Sequence, residues 1–188
     1  MALPAVMGLE RPKMTRLARF ERSVLPHLDA AYNLARWLTR NDQDAEDVVQ
    51  EAFVRALRFF DALRDSNARP WLLAIVRNCG YTWRRGTRTQ RESVSYVEDE
   101  HGGGGESHRA TDAAAIESSE RAELRDALDQ LPIEYREAIV LREIEGLSYK
   151  EIASVTGTPI GTVMSRLSRA RRRLQEALGL GVRAEETT

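Results

Sequence analysis

Apolar residues recur along this chain every three to four positions, and no run alternates apolar with polar residues as a strand would. Between about Ser23 and Arg40, Leu25, Leu28, Ala31, Tyr32, Ala35 and Leu38 fall near one face and predict a first helix. In "NDQDAEDVVQEAFVRALRFF", Ala45, Val48, Val49, Ala52, Phe53 and Ala56 recur at i, i+3, i+4 and i+7, the buried stripe of a second. Asn41 or Asp42 can cap that helix, and the acidic residues of its first turn suit the positive end of the helix dipole. After the loop "DALRDSNAR", Pro70 stands where a first helical residue belongs and opens "PWLLAIVRNCGYTWRR". There Leu72, Ile75, Val76, Cys79 and Trp83 share a face.

The periodicity dissolves from Gly86 to Ala115, where "DEHGGGGESHRATDAAA" predicts a flexible linker. A second helical block starts near Ile116. "IESSERAELRDALDQLP" stops near Pro132, and "PIEYREAIVLREIEG" ends at Gly146. "SYKEIASVTG" and "PIGTVMSRLSRARRRLQEAL" follow closely, and the tail "RAEETT" is expected to fray. The fold class expected is all-α, two small helical domains on a flexible linker.

Of 188 residues, 42% are hydrophobic, enough for a packed core, while 6% aromatic and 30% charged residues favour helices over a β-sandwich. The net charge of −1 conceals segregation. Seven arginines face Asp65 alone between Arg64 and Arg91, ten acids outnumber three arginines between Glu92 and Asp126, and five arginines meet no acid between Pro159 and Leu174. Two basic segments thus flank an acidic connector, a layout that marks interaction surfaces. Cys79 is the single cysteine, so no internal disulfide forms and a reducing compartment fits. In "MALPAVMGLERPKMTR" the apolar run precedes the basic residues, the reverse of a secretory signal, and no apolar run approaches the roughly 20 residues that cross a bilayer. The expectation is a cytoplasmic protein without membrane insertion.

The last two helices carry the sharpest signal. Ser148 and Glu151 have capping-box spacing, Gly157 suits a tight turn, and Pro159 opens the next helix. Ile160, Val163, Leu167, Ala170, Leu174 and Leu178 form its inward stripe. Ser165, Arg169 and Arg172 then point the other way, flanked by Thr162, Arg166, Ser168 and Arg173. This is the pattern of a helix-turn-helix, whose second helix enters the major groove and whose arginines can meet guanine edges or phosphates. An amphipathic helix with a solvated basic face uses the same residue types.

On the helix from Pro70, the core stripe leaves Trp71, Asn78, Tyr81 and Arg85 outward, near Arg77 and Arg84. Rings beside arginines stack on unpaired bases, and they also serve as packing anchors. The second helix turns Gln43, Asp47, Gln50, Val54 and Arg58 outward. Val54, apolar among polar neighbours, suits a protein partner, and a solvated acidic face is the alternative. No nucleophile–base pair appears, and His27, His101 and His108 lack ligand spacing with Cys79, so neither enzyme chemistry, metal nor cofactor is expected. A DNA-binding regulator with sensing or dimerising N-terminal helices remains a rival reading.

"DAEDVVQEAFVRAL", "WLLAIVRN" and "LPIEYREAIVLREIEGLSYKEIASVTGTPIGTVMSRLSRAR" together resemble regions 2.2, 2.4 and 4 of the extracytoplasmic-function group of the sigma-70 family of bacterial RNA polymerase sigma factors. The resemblance runs from about Phe20 to Leu178, the linker excepted. It implies an N-terminal extension over 1–19, region 2 over 20–88, a flexible linker over 89–115, region 4 over 116–180 and a tail over 181–188. It also implies a sigma factor that binds core RNA polymerase and directs it to promoter DNA, under control of an anti-sigma factor, as is common in this group. Asp44, Asp47, Gln50, Glu51 and Val54 would meet the β′ clamp helices. Ser66, Asn67, Ala68, Trp71, Asn78, Tyr81, Arg84 and Arg85 would hold the melted −10 element. Thr162, Ser165, Arg166, Ser168, Arg169 and Arg172 would read the −35 duplex, and region 4 would also meet the β flap. Met164 stands where the family often has Arg, which implies a lost contact or a different −35 sequence.

Overall fold

The computed structural model describes residues 15–63, 67–93 and 112–180, so the predicted N-terminal extension up to Met14, the loop residue Ser66, most of the predicted linker and the tail lie outside the described residues. Eight α-helices make up the described chain: α1 (Arg16–Val24), α2 (Leu28–Thr39), α3 (Asp42–Phe59), α4 (Ala68–Ser93), α5 (Asp112–Gln130), α6 (Ile133–Ile139), α7 (Tyr149–Thr156) and α8 (Ile160–Ala177). None of these is long and apolar enough to cross a membrane.

The single helix expected over Ser23 to Arg40 is two helices. Thr15 caps α1 by accepting from the Ala18 N–H, and a tight turn at Leu25–His27 separates it from α2. Pro26 sits in that turn, where its missing N–H costs no helical hydrogen bond. The break turns Leu25 and Leu28 outward, to 46% and 45% exposure, against their predicted place on the buried face. Helix α2 ends at Arg40, a non-glycine residue in the left-handed region at φ 65°. Asn41 then caps α3 as expected, its side chain accepting from the Asp44 N–H.

Helix α4 starts at Ala68, two residues before Pro70. The proline therefore occupies the first turn, where an N–H would have no partner in any case. The helix also runs on through Gly86 to Ser93, beyond the point where the apolar pattern fades. Extension needs only one hydrogen bond per added residue once a helix exists, so it can outlast its buried stripe.

Helices α2, α3 and α4 pack against one another around Leu34, Leu38, Leu72, Leu73 and Val76, all fully buried. Gly80 sets the spacing of α2 and α4: a Cβ there would meet Leu38 Cδ1 at 2.9 Å and Leu38 Cβ at 3.4 Å. Phe20 of α1 closes one side, edge-on to Phe60 and Phe53 at 5.4 and 6.4 Å. In the second unit α6 and α7 support α8, with Val163, Leu167 and Ala170 buried as predicted, whereas Ile160, assigned to the same stripe, is 46% exposed.

The two units meet. Helix α4 lies against α7 and α2 against α6, and the buried apolar residues of both join in one continuous cluster. Arg136 ties the joint. It is 2% exposed, and its guanidinium donates to the carbonyls of Leu128, Asp129 and Leu131 at the end of α5 and its following turn, and to the Trp37 carbonyl of α2, at 2.9–3.0 Å. Burial, reinforced by the charge of Arg40 and opposed by Asp129, pulls its pKa down to about 10. Among the described residues no buried side-chain nitrogen or oxygen lacks a hydrogen-bond partner.

Candidate nucleic-acid interface

The helix-turn-helix forms as its local chemistry dictates. The Glu151 N–H donates to Ser148 Oγ at 3.3 Å and the Ser148 N–H returns a bond to Glu151 Oε2 at 2.8 Å, a complete capping box at the start of α7. These bonds hold the Glu151 carboxyl below its ordinary pKa. Gly157 ends α7 at φ 65°, a left-handed turn that a residue without Cβ takes freely. Pro159 then leads into α8.

On α8, Ser165, Ser168, Arg169 and Arg172 are exposed, and Thr162 and Arg166 are half-buried beside them. Met164 joins this row at 53% exposure. The five arginines of the helix divide. Arg171 is engaged backward with Glu143 at 2.7 Å, Arg173 lies over the Tyr135 ring at 5.3 Å, and Arg172 pairs with Glu176 at 3.1 Å within the exposed surface. Among the described residues Arg169 makes a long contact to the Tyr135 hydroxyl at 3.5 Å. Short hydroxyls and arginines in a row on a capped two-helix frame are groups that can bond to base edges and phosphates.

The predicted single-strand face on α4 is more engaged than the sequence suggests. Asn78 and Arg85 are exposed, and Arg84 is exposed while donating to the Leu38 carbonyl at 3.3 Å. Trp71 is half-buried against the core cluster. Ala68 is 2% exposed, so its side chain meets the core instead of solvent. Asn67 donates to Glu151 Oε1 of α7 at 2.9 Å. The Tyr81 hydroxyl donates to Glu137 Oε2 at 3.4 Å, and burial together with the Glu137 charge pushes the phenol up to about 12. A cavity of about 460 Å³ lies between Leu63, Asn67 and Trp71 on one side and Lys150, Glu151 and Ser154 on the other.

Helix α3 presents Asp47, Gln50, Glu51 and Val54 to solvent, with Asp44 half-buried in the first turn. Val54 is 65% exposed, and Glu51 pairs with Arg55 at 2.6 Å. Cys79 is buried and, among the described residues, no group of three His, Cys, Asp or Glu side chains could hold a metal ion.

Sequence reasoning passed over the groups that join the units: Arg69, Arg77, Arg136, Glu137 and Glu145. Glu137 is 1% exposed and accepts from Arg77 Nε at 2.6 Å. Glu145 is 5% exposed, pairs with Arg69 and accepts from Asn33 Nδ2 at 3.2 Å. One signal was present. Glu137 falls four residues after Ile133 and before Leu141, an acid on an apolar stripe, and such a position asks for a buried partner.

Two family models match the chain: sigma-70 region 2 over residues 24–90 and sigma-70 region 4 over residues 121–174. The RNA polymerase sigma-H factor of Pseudomonas aeruginosa is 37% identical over 181 residues, covering 90% of this chain and 91% of that protein. The ECF RNA polymerase sigma factor SigE of Mycolicibacterium smegmatis is 37% identical over 159 residues, 85% of this chain, and the chain spans 61% of that protein's length. The sigma factor RpoE of Bartonella quintana, solved in complex with the anti-sigma factor NepR, superposes with a TM-score of 0.68 at 32% identity, covering 87% of this chain and 98% of that one.

Proposed function

We propose, from the premise that this chain belongs to the extracytoplasmic-function group of the sigma-70 family, that its two helical units divide the recognition of one promoter. A sigma factor is a protein of transcription initiation, and no catalytic step is assigned to any residue here. Region 2, taken as 20–88, docks on core RNA polymerase through Asp44, Asp47, Gln50, Glu51 and Val54 of α3, against the β′ clamp helices. The loop ahead of α4 and the face carrying Asn67, Trp71, Asn78, Tyr81, Arg84 and Arg85 hold the non-template strand of the −10 element. Ser66 and the backbone at Ala68, the first residue of α4, are assigned to the same strand. Region 4, taken as 116–180, lays α8 in the −35 major groove through Thr162, Ser165, Arg166, Ser168, Arg169 and Arg172, and meets the β flap. The chain between Ser93, where α4 ends, and Asp112, where α5 begins, is the tether, shorter at both ends than the 89–115 expected from the sequence.

The observation that carries this reading is the exposed row of Ser165, Ser168, Arg169 and Arg172 on a helix fixed by the Ser148–Glu151 box and the Gly157 turn. Two weak sites on one tether act together when a third body fixes their spacing, so core polymerase converts modest contacts into selective binding. Capturing an unstacked base offsets part of the cost of strand opening, so opening is coupled to binding. An anti-sigma factor is the natural regulator, since RpoE of Bartonella quintana is solved with one.

Run-off transcription with core RNA polymerase on a promoter library tests the proposal. A core-dependent product is expected, with no gel shift of the same duplex by the chain alone. A chain that shifts its duplex unaided and neither binds core nor yields a product is a conventional regulator, and the proposal fails.

A further inference from the structure

Two apolar side chains stand among the polar groups exposed on α8. Met164 is 53% exposed, outside the buried cluster, and Ile160, four residues before it, is also exposed. Residues four apart are neighbours on a helix surface, so the two form a short apolar strip at the N-terminal end of α8. Gly161 and Ser168, at i−3 and i+4 from Met164, lie beside it and are exposed. A Cβ at Gly161 would meet nothing within 4 Å, so no part of the described chain crowds this end of the helix. From Ile160 to Ser165 there is no charged side chain, and the arginines begin at Arg166. The N-terminal residues of a recognition helix are the ones that reach base edges. At this end of α8 they are hydroxyls and apolar groups, which cannot make the bidentate guanine contact of an arginine. The major groove offers such a strip one apolar partner, the C5-methyl of thymine.

We propose that Met164 is a specificity-determining residue of this chain: its thioether side chain packs on the C5-methyl of one thymine in the −35 element, backed by Ile160. This deepens the assignment of α8 to the −35 duplex and rests on it. An unbranched side chain with three rotatable bonds can settle on a methyl group without moving the helix that carries it. Cytosine presents an amino donor and no methyl at the same edge. With cytosine there, the thioether covers a donor it cannot satisfy, and the polar edge loses its water without a replacement. An apolar contact displaces no counterions from the backbone, so the preference for thymine should persist as salt weakens binding as a whole.

The test uses the full chain with core RNA polymerase. Sequencing the templates that the holoenzyme retains from a pool randomised over the −35 element defines the preferred sequence. Each thymine of that element is then replaced by deoxyuridine, which removes the methyl group and leaves every hydrogen-bonding atom in place. At one thymine the change is expected to lower run-off at limiting holoenzyme about fourfold, the effect of withdrawing one methyl group from an apolar contact. Met164→Leu should keep that uracil penalty and Met164→Ala should lose it. In the parent the ratio of thymine to uracil template activity should stay constant between low and moderate salt. An M164A chain as sensitive to uracil as the parent, a preferred element with no thymine that answers to uracil, or an M164A chain weakened alike on every −35 sequence each overturns the proposal. Circular dichroism confirms that both variants remain helical. Core-dependent run-off by the parent chain is scored separately: its absence sinks the assignment as a sigma factor, whereas run-off without a uracil penalty sinks the role of Met164 alone.

Discussion

Arg77 of α4 and Glu137 of α6 meet at 2.6 Å across the joint between the two regions, with the carboxylate fully buried. Burial pushes Glu137 above the ordinary carboxylate range, and the Arg77 charge holds it partly down. Removing one partner of such a pair leaves a buried charge alone, which costs about 3 kcal/mol or more, while removing both is far milder. Arg77→Ala should lower the urea midpoint markedly, and Arg77→Ala with Glu137→Gln should recover more than half of the loss. A double variant no better than R77A would show that the pair does not account for the cost.

Arg136 should be the least replaceable side chain in region 4. Arg136→Met strands four carbonyls that its guanidinium serves, with an expected loss of about 3 kcal/mol. Arg136→Lys should rescue little, because a point ammonium cannot reproduce the planar fork. Equilibrium unfolding followed by circular dichroism measures both.

The α7 cap gives a pH dependence of defined sign. Glu151 is held below its ordinary value of 4.5 by the Ser148 hydroxyl and N–H, so its contribution is complete above that value and disappears as pH falls through the depressed one. Glu137, raised by burial, runs the other way: its ionisation in the folded chain is disfavoured, so its effect on stability improves as pH falls through the raised value. Ser148→Ala should cost about 1 kcal/mol at neutral pH. The gap in thermal midpoint between parent and S148A should narrow well below pH 4.5, where Glu151 is protonated in both.

The promoter contacts proposed for α8 and α4 should separate by template. Arg169→Ala should reduce run-off from a −35-dependent promoter about tenfold, the effect of losing one good base contact of about 1.4 kcal/mol. Asn78→Ala should slow opening on duplex DNA and be largely rescued on a pre-melted bubble. Equal rescue of both variants by the bubble would mean that the roles are wrongly divided.

Val54→Asp tests the docking face. The side chain is 65% exposed and supports nothing inside the fold, so thermal stability should hold while pull-down of core polymerase drops about tenfold.

The stripes of α3 and α8, the Ser148–Glu151 box and the Gly157 turn were all legible in the sequence, because each is set by residues within one or two helical turns of one another. The break at Pro26, the exposure of Leu25, Leu28 and Ile160, and the persistence of α4 through Gly86 were not. They depend on where a helix end lands against its neighbours, which periodicity does not encode. The outward rows on α3 and α8 followed from the same wheel that gave the cores. On α4 the wheel turned Tyr81 outward, yet it is half-buried against the core cluster, and its neighbour there is Glu137, 56 residues away. Pairings of that range leave only a faint trace in one sequence: an acid where an apolar residue would be expected.

Cys79 adds a practical consequence. Its thiol is sealed in the interior of region 2, and burial raises its pKa, so alkylating reagents meet it only when α4 leaves its neighbours. The charges that act on it, Arg55 and Glu51, both belong to α3. The rate of thiol modification is therefore an internal clock for the opening of the packing around α4.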